Sequence, residues 1–191
     1  MTRPNRISEP SRVPAHPTPD ADGIMLGGGP IAVDIYIDFM CPFCRAFEER
    51  HGPAVDELVA RSGLITLVYH PLGILDRLST TRYSTRASAA SGCASDGDRF
   101  LDYLYTLFDN QPPEESAGLS DEELAQLGVQ TGLSENLARC VMQGAYIEWA
   151  EYVTAKALTR GVNGTPSVYV DGVGVRASAD AIMSAAMAEL S

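Results

Sequence analysis

Two cysteines stand three apart in the segment DFMCPFCRAF, Cys41 and Cys44, and enclose Pro42 and Phe43. Such a pair can exchange electrons with another dithiol, supply half of a metal site, or sit as two inert residues one helical turn apart. A structural zinc site needs four ligands, usually a second Cys-x-x-Cys or paired histidines. His16, His51 and His70 have no such spacing, so no metal is expected. A second candidate is Thr165-Pro166, just before the apolar run SVYV. Proline there either ends a loop or is a cis residue facing the cysteines, with the Thr165 backbone free to pair with an extended substrate segment.

What the cysteines can do depends on the elements that carry them. IAVDIYIDF, residues 31 to 39, is β-branched and aromatic on both phases of its alternation and reads as a central strand covered on both faces. From Pro42 the period changes to 3.6, with Phe43, Phe47, Val55, Leu58 and Val59 along one side of a helix that ends near Ser62-Gly63. Pro53 is expected to bend or interrupt it. Cys41 therefore falls at about the N-cap, and Pro42 takes the first helical position, where a missing N–H costs nothing. The free amides of that turn and the positive end of the helix dipole favour a Cys41 thiolate, and pairs of this kind have pKa values lowered into roughly 3.5–7.5. Cys44, one turn inside the helix, becomes the resolving thiol of an exchange that passes through a mixed disulfide.

The rest of the chain supplies a frame for that unit. LITLVYHPL, residues 64 to 72, is another covered strand, which completes a strand-helix-strand crossover with parallel strands. Some seventy residues of helical pattern follow; Ser120 with Glu123 reads as a capping box, Ser134 as an N-cap, and a further helix spans about Ala145 to Arg160. Trp149, Tyr146 and Tyr152 fall at helical spacing and read as core, and His70 as a satisfied histidine at a strand end. After Thr165-Pro166 come two short antiparallel strands around an Asp171-Gly172 turn, then a helix opened by Ser178 and Asp180. The order β-α-β, helical insert, β-β-α gives an α/β chain: a Pro-rich, flexible leader over 1–29, a two-part α/β domain over 30–82 and 161–191, and an all-helical insertion over 83–160.

With 191 residues the chain can bury a core of its own, and its 45% apolar and 20% charged residues are ordinary for a globular protein. The net charge of −11 repels phosphate backbones and anionic headgroups, so no nucleic-acid partner is expected. No run of apolar residues is long enough to span a bilayer, and residues 1–22 lack the apolar stretch of a signal peptide. If Met1 is the natural start, a cytoplasmic location is expected; a trimmed start would allow an extracytoplasmic one.

The Cys-Pro-Phe-Cys turn after a buried strand, the helical insertion and the later Gly164-Thr165-Pro166 resemble, in this order, the DsbA family of thioredoxin-fold thiol-disulfide oxidoreductases. The resemblance covers about residues 30 to 190 and implies a thioredoxin fold with a helical insertion. It implies Cys41 as nucleophile, Cys44 as resolving cysteine, and Pro42, Phe43, Thr165 and cis-Pro166 as substrate contacts. It implies protein or peptide thiols as substrates and a recycling redox partner that the sequence does not identify. No cofactor is expected beyond the Cys41–Cys44 disulfide itself. The chain looks most like actinobacterial members whose insertion carries its own cysteine pair, which, with the pairing left over from Cys41 and Cys44, implies a structural Cys93–Cys140 disulfide. Alternatives are a reductase or isomerase of small-thiol adducts and a non-catalytic peptide-binding module. Two departures stand out. The dipeptide between the cysteines is Pro-Phe rather than Pro-His, and the position six before the nucleophile, often a buried acid in this family, is Ile35 between Asp34 and Asp38. Asp38 could move protons for Cys44, although a strand-end carboxylate that meets solvent is the expected reading.

Overall fold

A computed structural model describes residues 8–190 of the chain. A five-stranded mixed sheet carries the site. Its strands are β1 (Ile24–Gly27), β2 (Ile31–Ile37), β3 (Ile65–Pro71), β4 (Ser167–Val170) and β5 (Val173–Val175), in the order β1-β3-β2-β4-β5. β2 and β3 are parallel and in register from Ile31 opposite Ile65 to Ile37 opposite Pro71; every other pairing is antiparallel. Ile31, Val33, Ile35 and Ile37 fill one face of β2, and the whole of β3 is buried, as expected for parallel strands covered on both sides. The β4–β5 hairpin closes through Asp171-Gly172, both with positive φ, 45° and 79°, the two-residue geometry that matches the twist of the flanking strands.

Helix α1 (Pro42–Ser62) links β2 to β3 and continues through Pro53, so of the expected bend or interruption the interruption does not occur. Phe47 before Pro53 and Val55 after it are both buried, and their packing holds the helix across the one missing N–H. The helices of the insertion are α2 (Tyr83–Asp96), α3 (Phe100–Asp109), α4 (Asp121–Gln130), α5 (Glu135–Met142) and α6 (Ile147–Thr159). α2 lies at the centre and packs against the other four. Its run of alanine, serine and glycine allows this: a Cβ on Gly92 would come within 3.0 Å of the Tyr146 ring. Ser120 and Glu123 form the reciprocal capping box at the start of α4, Ser134 caps α5, and Ser178 caps the last helix, α7 (Ala179–Ala188), which packs on α1 and β4. Cys93 of α2 and Cys140 of α5 are disulfide-bonded. Trp149, Tyr146 and Tyr152 are buried.

The reading of residues 1–29 as a flexible leader is corrected over 8–29; residues 1–7 lie outside the described ones. Ile24–Gly27 is an edge strand on β3, and the residues before it are strapped across the helices. The Trp149 indole donates to the Ala21 carbonyl at 2.8 Å, the Tyr152 hydroxyl to Asp20 at 3.0 Å, and the Ser95 hydroxyl to Ala15 at 2.7 Å. A proline-rich backbone has few N–H groups to form a ladder, so side chains of the body hold it by its carbonyls.

Candidate active site

β2 ends at Ile37, and the next four residues make the turn into α1. Phe39 and Met40 anchor this turn in the core, Phe39 against Phe108 of α3 with ring centroids 5.2 Å apart. Cys41 is the N-cap residue in extended conformation, and Pro42 opens the helix. The Cys41 carbonyl accepts the first helical hydrogen bonds, from the amides of Cys44 at 3.1 Å and Arg45 at 3.2 Å. The thiol then points at the ends of two neighbours. It donates to the Thr165 carbonyl at 3.3 Å, next to the Thr165–Pro166 peptide bond, which is cis. It also lies against the Cys44 thiol.

The two thiols share a turn and have opposite electrostatics. Cys41 is lowered to about 6, first by the hydrogen bond from the Cys44 thiol, then by the Thr165 side chain and the amides of Cys44 and Phe43, against the opposing effect of burial. The two amides belong to the first turn of a helix, and together with the two side chains they favour the charged sulfur. Cys44 is pushed well above the ordinary thiol range, chiefly by burial and then by its bond to Cys41 and the charge there. The amide of Asp38 reaches the Cys44 sulfur at 3.5 Å.

Asp38 is not the solvent-facing carboxylate expected at a strand end: it is fully buried. One oxygen accepts from the Met40 amide and the other from the Leu75 amide, both at 2.9 Å. Burial raises its pKa to about 7, opposed by the Ser84 side chain and those amides. Leu75 comes from the loop after β3 and Ser84 from α2, so distant segments fold over a side chain that local sequence leaves open.

Gln111, two residues past the end of α3, was not singled out from sequence. Its amide nitrogen donates to the carbonyls of both Phe39 and Cys41, each at 3.0 Å, and so ties the insertion to the cysteine turn. The sole local signal is a polar side chain before Pro112-Pro113. Glu48, one turn beyond Cys44 on α1, is also buried, accepts from the Tyr69 hydroxyl at 3.3 Å and is raised to about 8 by burial first and then by Asp56. His70 is not near the cysteines; it bridges the Asp22 carbonyl at 2.6 Å and the Asp34 carboxylate at 2.8 Å. Among the described residues no cluster of His, Cys, Asp and Glu could hold a metal ion, and no helix is long and apolar enough to cross a membrane.

A mixed sheet with a Cys-x-x-Cys at a helix start, facing a Thr-cis-Pro loop, defines a thioredoxin-like protein. The family model described as Thioredoxin matches residues 28–188. The solved structure of DsbA from Mycobacterium tuberculosis is similar at 31% identity and a TM-score of 0.70, over 80% of this chain and 84% of that one. The disulfide bond oxidoreductase DsbG of the same organism is similar at 31% identity and a TM-score of 0.71, over 81% and 80%. The chain belongs to the thioredoxin family and, within it, to the DsbA-like thiol-disulfide oxidoreductases. Among curated proteins, the serine/threonine-protein kinase PknE of M. tuberculosis is 34% identical over 161 residues. That match covers 78% of this chain but 28% of the kinase, so the chain spans little more than a quarter of the length of the curated relatives it matches.

Proposed function

We propose that the chain exchanges disulfides with protein thiols through Cys41 and Cys44, with Cys41 as the attacked and attacking sulfur. The observation that supports this is the split between the two thiols: about 6 for Cys41, and well above the ordinary range for buried Cys44. In the oxidising direction a client thiolate attacks Cys41 Sγ. The Cys41–Cys44 bond breaks, its electron pair leaves on Cys44, and Cys44 takes up a proton. A second client thiolate then attacks the client sulfur of the mixed disulfide and expels Cys41 as a thiolate. The client gains one disulfide and loses two electrons and two protons; the protein gains a dithiol. A stabilised Cys41 thiolate is the better leaving group and favours the reduced protein, which makes the pair a better electron acceptor.

Asp38 serves this cycle as the proton carrier for Cys44. Its carboxyl lies at the turn whose amide touches Cys44 Sγ, and a pKa of about 7 lets it both give and take a proton near neutrality. Pro42, Phe43, Thr165 and Pro166 form the surface against which the client chain lies. No cofactor takes part beyond the cysteine pair, and a separate redox partner restores its oxidation state.

Limited alkylation with peptide mapping tests the roles. Cys41 should be labelled first at mildly acidic pH, with a rate that rises through about pH 6. Cys41→Ser should lose exchange with a reduced, unfolded client completely. Preferential labelling of Cys44, or turnover by the serine variant, would overturn the assignment.

A further inference from the structure

Beside the cysteine turn lies a groove of about 380 Å³ between α1 and the Thr165–Pro166 loop, whose walls include Phe43, Phe47, Arg50, His51 and Ala177. Phe43 is 74% exposed, a large apolar ring held out in water at the mouth of the site. Arg50 is the charged end of this groove. Among the described residues its guanidinium has no ion pair and no hydrogen bond.

That isolation is written into the helix. Arg45 and Arg61, also on α1, each reach a glutamate one turn away, Glu49 at 2.6 Å and Glu57 at 2.7 Å. Helical spacing offers Arg50 only Ala46, Phe47, Pro53 and Ala54 at the three- and four-residue positions, none of which can accept. In a chain with 25 acidic and 14 basic residues, an arginine without an acid beside it is the less expected outcome. This one stands in the groove lined by Thr165, whose carbonyl accepts from the Cys41 thiol.

We propose that Arg50 selects the client: the groove takes an extended segment that carries a carboxylate about four residues from its reacting cysteine, and Arg50 pairs with that carboxylate. The inference rests on the redox reading above and names the substrate class for it. The spacing follows from the geometry of two chains. Nine residue steps along the helix lead from Cys41 to Arg50, a rise of ~13 Å, and an extended peptide covers that length in about four residues. Phe43 and Phe47 meet the apolar side chains between. The pair forms at the surface, where such contacts are weak, so a two- to fivefold preference is the expected size.

The test compares three reduced peptides of one sequence, with Glu, Gln or Lys four residues from a single cysteine, as substrates of the oxidised protein. Wild type should rank Glu above Gln above Lys in the rate constant for mixed-disulfide formation, by about two- to fivefold per step, and high salt should flatten the series. Arg50→Gln should flatten it at low salt, and Arg50→Glu should invert it. Equal rates on all three peptides in wild type, with normal exchange against dithiothreitol, would overturn this inference alone. So would a preference that survives in Arg50→Gln. If wild type fails to exchange even with dithiothreitol, the redox reading falls and the client selection falls with it.

Discussion

Cys41 and Cys140 are almost equally hidden, 4% and 7% exposed, yet they belong to pairs of opposite character. Cys41 and Cys44 are three apart and both free; Cys93 and Cys140 are 47 apart and bonded. Burial therefore does not separate a working thiol from a structural one in this molecule. Position on the helix does. Cys41 caps α1, where the Cys44 thiol first, then the Thr165 side chain and the amides of the first turn, lower its sulfur to about 6. Cys93 and Cys140 sit inside α2 and α5, past the helix starts, and are joined to each other. The first pair is also tied to the Thr165–Pro166 loop, the proposed client surface, while the second joins two helices of the insertion.

If that contrast is right, breaking each pair should damage a different property. The largest effect is expected from the first. Cys44→Ala leaves Cys41 unable to resolve, so client proteins should accumulate as mixed disulfides on Cys41 and multiple turnover should fall by more than about a thousandfold, while thermal stability changes little. Non-reducing electrophoresis of the reduced variant with a disulfide-bonded client, whose disulfide the Cys41 thiolate attacks, reads this directly. Free, rapidly released client would show that the resolving step lies elsewhere.

The second pair should fail in the opposite sense. Loop closure over 47 residues is worth about 4 kcal/mol in the chain-entropy model, and measured losses on removing native bridges are typically 2–5 kcal/mol. The Cys93→Ala, Cys140→Ala double variant should therefore lose several kcal/mol in denaturant melts yet keep the low-pH reactivity of Cys41. If Cys41 labelling shifted to alkaline pH instead, the two pairs would be coupled through the insertion rather than independent.

A smaller effect sharpens the asymmetry inside the first pair. Asp38 titrates at about 7, so its carboxylate, the form that can accept the Cys44 proton, is populated above that pH. Attack of Cys44 on a mixed disulfide should accordingly speed up as pH rises through about 7 in wild type. In Asp38→Asn that inflection should vanish and the step should slow by roughly 10- to 100-fold at mildly alkaline pH. An unchanged pH profile would leave Asp38 a buried structural acid.

What the sequence disclosed about these sites follows from how local each cause is. The Cys41 cap, the Pro42 start, the capping box of Ser120 and Glu123 and the Asp171-Gly172 turn are set by neighbours within a few positions, and all were legible. The cysteine partners in α2 and α5 needed a pairing argument and a family resemblance, because 47 residues separate them. Asp38 was read as exposed because the Leu75 amide that covers it lies 37 positions away. β1 was folded into the leader, since four residues next to glycines carry little strand signal without the β3 edge they pair with. Gln111 was invisible because its meaning lies in two carbonyls some seventy positions earlier.

Gln111 also supplies the finest probe of the contrast. If helix-start geometry rather than burial makes Cys41 reactive, then loosening the turn without touching either cysteine should weaken the thiolate. The Gln111 amide fixes the carbonyls of Phe39 and Cys41 at 3.0 Å each, one on either side of Met40. Gln111→Ala leaves both carbonyls without that donor, at a cost of about 1–3 kcal/mol if water does not replace it. The turn then samples positions in which the amides of Phe43 and Cys44 no longer converge on Cys41 Sγ. Thiolate absorbance during a pH titration should show the Cys41 midpoint move upward from about 6, and labelling at acidic pH should slow by about two- to threefold. Cys93 and Cys140 should stay bonded throughout, since α2 and α5 do not use this contact. A melt that weakens with no change in the titration midpoint would assign Gln111 to stability alone. A midpoint that moves while the melt holds would show that the insertion tunes the cysteine it covers.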